Sequence, residues 1–247
     1  MTASLENKTA AALIEAARDL SHKLSRLYFS PPVSHVYNPL EYAWPLHEAY
    51  LRRYGNGTKR IVFLGMNPGP FGMVQTGVPF GEINAVKDWL QLSGVIGKPL
   101  IENPKRPIQG FACQRSEISG QRLWGLFRQR FGTADHFFAE HFVANYCPLA
   151  FFDAGRNVTP DKLPAQESRP LLEACDAHLR RIIEILQPEW VIGIGAWAEK
   201  RAENTLADLT SLHIGRILHP SPASPIANRG WAEAASKQLM TLGIWQE

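Results

Sequence analysis

The apolar residues Ile61-Val62-Phe63-Leu64 run straight into an eighteen-residue stretch, 65–82, that reads GMNPGPFGMVQTGVPFGE. A short apolar run bounded by turn residues reads as a buried strand. The stretch behind it is too long for a simple turn and is dominated by glycine and proline. Glycine lets backbone approach a ligand closely, and proline fixes a loop before the ligand arrives. Open α/β sheets bind their ligands at the carboxyl ends of their strands. This feature therefore points to an α/β fold with a ligand site at one sheet edge.

Two more segments repeat the pattern. Residues 141–149 read HFVANYCPL, with Asn145 at the exit of an apolar run. Residues 215–231 read GRILHPSPASPIANRGW, where Ile217-Leu218 ends in His219 and a proline-rich loop follows, carrying Arg229. Strands are expected near 61–65, 141–145, 190–195 and 215–219. Helical periodicity is expected over 11–28, 40–54, 84–92, 121–131, 164–186, 196–206 and 231–242. Strands alternating with helices give a four-stranded parallel sheet in a three-layer α/β/α sandwich. The exits carrying Asn67, Asn145 and His219 then share one edge. Residues 99–119 read as a long irregular surface loop.

The 247 residues suffice for one domain, 1–247, with 1–30 as an N-terminal helical extension. Apolar residues make up 45% of the chain and charged residues 20%, ordinary values for a globular protein. No apolar run is long enough to span a membrane. Glu6, Glu15 and Asp19 interrupt the N-terminal region, so an amphipathic helix is expected there and not a signal peptide. A cytoplasmic monomer is expected, nuclear in a eukaryotic host. A net charge of +3 permits nucleic acid without demanding it. Lys105-Arg106, between prolines, suits phosphate contact.

Rival chemistries lack their motifs. There is no phosphate-binding GxxxxGK[ST] loop, GxSxG elbow, HExxH or deaminase PCxxC. Gly193-Ile194-Gly195 lacks the third glycine of a dinucleotide fingerprint. Cys113, Cys147 and Cys175 are too far apart for a clustered zinc or iron–sulfur site. They read as reduced, buried thiols, and no metal or cofactor is expected.

The loops 65–82 and 219–231, with NYCPL (145–149) and GRNVTP (155–160), resemble the single-strand-selective monofunctional uracil-DNA glycosylases. YNPLEYAW (37–44), PKRP (104–107) and SEISG (116–120) extend the resemblance over nearly the whole chain. It implies the same four-stranded α/β/α sandwich. It also implies hydrolysis of the N-glycosidic bond of uracil, and of 5-hydroxymethyluracil, in single- or double-stranded DNA.

By that resemblance His219 stabilises the leaving base and Asn67 positions the attacking water. Asn145 reads the base edge and Phe80 stacks on the flipped ring. Met66, Gly69 and Met73 shape the pocket beside C5, with Gly69 leaving room there. The DNA contacts are Lys105, Arg106, Pro222, Ala223, Ser224 and Arg229. Ala223-Ser224 departs from the pattern, since better known members carry a basic residue after the second proline. That leaves the wedging side chain open. No lysine stands at the motif positions to form a Schiff base, in keeping with monofunctional action. Two alternatives remain on sequence: a mismatch-directed thymine/uracil glycosylase of the same fold, and a non-catalytic nucleic-acid-binding protein.

Overall fold

The computed structural model describes residues 2–246, and the side chains of 8–246. Its first part runs α1 (Thr2–Leu24), β1 (His35–Tyr37), α2 (Pro39–Tyr42), α3 (Trp44–Tyr54), β2 (Ile61–Gly65), α4 (Met73–Thr76) and α5 (Ile118–Phe131). Then come α6 (Ala134–Glu140), β3 (His141–Asn145), β4 (Ala150–Asp153), β5 (Arg156–Val158) and α7 (Ala165–Leu186). The chain closes with β6 (Trp190–Ile194), α8 (Ala196–Thr205), β7 (His213–Ile217), α9 (Pro225–Asn228) and α10 (Trp231–Thr241).

The main sheet is fully parallel with strand order β3-β2-β6-β7. Helices flank it: α1, α3 and α7 pack together on one side, and α5 contacts α6 and α10 on the other. β2 is buried along its whole length, which explains its unbroken apolar sequence. Register holds Gly65 beside Asn145 and Ile194 beside Ile217, so the strand exits lie level. Pairing continues past the strands, where Tyr146 N–H donates to Gly65 O (2.9 Å) and Cys147 N–H to Met66 O (2.9 Å).

Several elements differ from the sequence reading. β7 ends at Ile217, so His219 sits two residues beyond the strand rather than at its last position. The expected helix over 40–54 divides at Ala43 because Pro45 stands in the first turn of α3 and cannot continue a preceding helix. Asn38 caps the first piece, accepting from Leu40 N–H at 3.1 Å. Residues 85–89 form a single π-helical turn. α6 was not foreseen, although Thr133 caps it. A second, antiparallel sheet of order β1-β4-β5 was also missed, because strands of three or four residues show too little alternation. α1 is no mere appendage, since Leu13, Ile14, Ala17 and Leu20 belong to the main core.

Phe127 and Phe137 stack at 4.2 Å beneath the sheet, with Phe63 5.0 Å from Phe127. All three rings are fully buried. Phe127→Ala should lower unfolding free energy by about 3–5 kcal/mol, through lost burial and the cavity left behind. Denaturant titration checks this, and a loss under about 1 kcal/mol would mean the cluster carries little of the core.

Candidate active site

The carboxyl edge of the parallel sheet opens into a cavity of about 480 Å³. Met66, Asn67, Gly69, Phe80, Asn145 and His219 all line it. Sequence reasoning had placed these residues together, and the fold does bring them together. The β6–α8 turn adds Gly195 and Trp197, and the second sheet delivers Asn157 and Thr159.

His219 is mostly buried, and burial holds its imidazole below the ordinary 6.5. Ser221 N–H donates to its Nδ1 at 3.0 Å. An Nδ1 that accepts leaves the proton of the neutral ring on Nε2. Pro220 O and Asn228 Oδ1 both accept from the Arg122 guanidinium, at 2.9 and 2.8 Å. Arg122 on α5 thereby clamps the loop that carries His219, a role invisible in sequence.

Asn67 donates a long hydrogen bond from Nδ2 to Leu149 O (3.5 Å), leaving Oδ1 as its uncommitted acceptor. Asn145 Nδ2 approaches Met73 Sδ at 3.2 Å. Its Oδ1 is buried with no partner. A buried amide oxygen without a partner is costly unless something docks on it. This oxygen lies over Gly65, where a Cβ would collide with it.

Phe80 adopts φ 52°, a left-handed conformation that costs a non-glycine residue roughly 1–3 kcal/mol. Its carbonyl is held by Trp124 Nε1–H (2.9 Å) and Glu82 N–H (2.7 Å). The ring lies over Gly65, where a Cβ would stand 2.6 Å from Cε2. From behind, buried His47 donates from Nδ1 to Gly77 O (2.8 Å). Burial pushes its pKa down to about 4, so it braces the end of α4 as a neutral ring.

One expectation needs correction. Gly69 does not leave open room, because the Glu117 carboxyl fills the space that a side chain there would take. Glu117 also lines the cavity and was missed as a site residue, although it lies in the SEISG stretch.

The basic residues are more dispersed. Lys105 and Arg229 are exposed. Arg106 is partly committed, donating from Nε to Gly155 O (2.7 Å) with its guanidinium 5.3 Å from the Phe71 ring. Arg115 covers the same ring at 4.0 Å. Pro222 and Ala223 are exposed, while Ser224 caps α9 by accepting from Ala227 N–H. Ile226 beside them is also exposed, at 61%. The three cysteines are buried and unpaired. Among the described residues, no group of three or more His, Cys, Asp or Glu is placed to hold a metal. No described helix is long and apolar enough to cross a membrane.

Comparison with known proteins identifies the family. Residues 52–241 match the family model of the uracil DNA glycosylase superfamily. The chain is 49% identical to the single-strand selective monofunctional uracil-DNA glycosylase of Rattus norvegicus, covering 95% of this chain and 85% of that protein. The Bos taurus protein of that name is 49% identical, over 91% and 84%. The crystal structure of SMUG2 from Pedobacter heparinus superposes with a TM-score of 0.70 at 19% identity, covering 95% of this chain and 97% of that one. That last likeness concerns the fold. The chain belongs to the uracil-DNA glycosylase superfamily, and its identity places it with the single-strand selective monofunctional group.

The tautomer of His219 is directly measurable. Nitrogen NMR of the imidazole should show a neutral ring protonated on Nε2, titrating below the ordinary 6.5. A ring protonated on Nδ1, or a midpoint above 6.5, would contradict the assignment.

Proposed function

We propose that this protein is a monofunctional DNA repair glycosylase. It hydrolyses the N-glycosidic bond of uracil, and of 5-hydroxymethyluracil, flipped from single- or double-stranded DNA. The observation that carries this is the meeting of Asn67, Phe80, Asn145 and His219 in one cavity at the sheet edge, in a chain of this superfamily. We further propose that it acts as one domain and a monomer, in the cytoplasm or, in a eukaryotic host, the nucleus.

The chemistry follows from the groups present. Excision requires the base to leave the stack and be held outside it. Phe80 offers its ring face to the extruded base. Asn145 Oδ1 lacks a partner and accepts from N3–H, while Nδ2 donates to O4. Cytosine presents the opposite pattern there and leaves both groups mismatched.

As the bond to the sugar breaks, negative charge gathers on the uracil. Nε2–H of neutral His219 is aimed at O2, where that charge develops. A preorganised donor of this kind is worth about 2.7–4 kcal/mol in the transition state. Asn67 Oδ1 holds the water that captures the oxocarbenium-like sugar. An amide is a poor base, so the rate depends mainly on stabilising the leaving group. No step needs a metal or cofactor. The exposed Pro222 and Ala223, the half-buried Ser224 and the exposed Ile226 form the stiff projection that enters the stack and fills the vacated space. Lys105, Arg106 and Arg229 bind backbone phosphate.

Single-turnover release of uracil from a single-stranded oligonucleotide tests the reading. His219→Ala and Asn67→Ala should each slow release about 10²-fold or more, with binding largely kept. A wild-type rate in either variant would remove that residue from its role, and no release by the wild-type protein would overturn the proposal.

A further inference from the structure

Glu117 occupies the position before α5, in extended backbone (φ −85°, ψ 107°), and its side chain does not cap the helix. The carboxyl turns instead into the loop after β2, between two glycines. A side chain at Gly69 would overlap Oε1, and one at Gly72 would overlap Oε2. Oε2 is buried without a hydrogen-bond partner, and the residue lines the same cavity as Asn145 and His219. A buried acid without a protein partner is either costly or waiting for a ligand.

Its place in the cavity can be traced through contacts. Asn145 Nδ2 meets Met73 Sδ, Met73 follows Gly72, and Gly72 touches the Glu117 carboxyl. A base whose O4 accepts from that Nδ2 has C5 as its next ring atom. We infer that the Glu117 carboxyl determines specificity by hydrogen-bonding oxygen-bearing substituents at C5 of the flipped base. This rests on the glycosylase reading above.

The protonation state gives the assignment a signature. Burial, with the Glu82 charge adding to it, pushes the Glu117 pKa up to about 7. Glu82 is itself satisfied by Ser116 Oγ–H and Ala85 N–H, both at 2.9 Å. It is the only titratable residue in the 65–82 loop. Beside Glu117, Arg115 lies over Phe71, and across the cavity His219 is neutral.

A neutral carboxyl both donates and accepts, whereas a carboxylate only accepts. A hydroxymethyl group can meet either form. A formyl oxygen can only accept, so it needs the protonated acid.

The test is single-turnover excision of 5-formyluracil and 5-hydroxymethyluracil from single-stranded oligonucleotides, each rate divided by that for uracil. Measurements run from about pH 5.5 to about pH 8.5. The formyl ratio should fall about tenfold as Glu117 ionises, while the hydroxymethyl ratio stays level. Glu117→Gln should flatten the formyl profile, since an amide donates at every pH. Ionisation of the substrate itself contributes equally to both proteins. Glu117→Leu should lower both ratios at every pH.

A wild-type formyl ratio that does not fall overturns the assignment, as does an identical slope in Glu117→Gln or wild-type ratios in Glu117→Leu. If one variant fails to fold, comparing the wild-type formyl profile with that of the other variant still decides, because substrate ionisation is common to both. Normal uracil release with a level formyl ratio overturns only this inference, whereas no uracil release overturns the glycosylase reading beneath it.

Discussion

The site depends on how closely β2 and β3 run together at their carboxyl ends. Gly65 pairs with Asn145 in register, and the missing side chain of Gly65 is where the Asn145 amide and the Phe80 ring settle. Hydrogen bonds from Tyr146 and Cys147 carry the pairing on to Met66. Asn67 follows directly, donating to Leu149 O and lining the same cavity as Asn145. The strained backbone of Phe80 persists because Trp124 and Glu82 both fix its carbonyl. Strain of this kind survives only where surrounding contacts over-determine it.

A second constraint is electrostatic. Burial keeps the imidazole of His219 neutral and raises the acid of Glu117 toward neutrality. A cavity lined by neutral donors and amides is suited to a neutral base that leaves as an anion. Fixed dipoles in such a site stabilise developing charge more strongly than water does and need no reorganisation. Arg122 holds its charge outside, on the carbonyl of Pro220 and the amide of Asn228, and acts through loop geometry.

The parallel sheet and its converging exits were legible because buried parallel strands read as unbroken apolar runs, and their exits carried distinctive loops. Asn67, Phe80, Asn145 and His219 were chosen this way, with the family resemblance weighting each choice, and they line one cavity. Contacts made only in three dimensions were not legible. Arg122 and Glu117 look like ordinary surface charges on a helix start, and nothing local says that one clamps a distant loop and the other enters a glycine cradle. Gly69 was misread for the same reason, since a missing side chain implies space, but sequence does not show what fills it. The short second sheet escaped because its strands lack a measurable period, although it delivers Asn157 and Thr159 to the cavity.

Gly65→Ala tests the central claim most directly, because a single methyl group enters the space shared by Asn145 and Phe80. Overpacking of this kind costs about 1–3 kcal/mol, which leaves a well-packed protein folded. Single-turnover uracil release, measured beside the thermal melting of the same sample, should slow by about tenfold or more while a cooperative melt remains. A folded Gly65→Ala protein that releases uracil at the wild-type rate would contradict the account, because the spacing of β2 and β3 would then not set the geometry of the site.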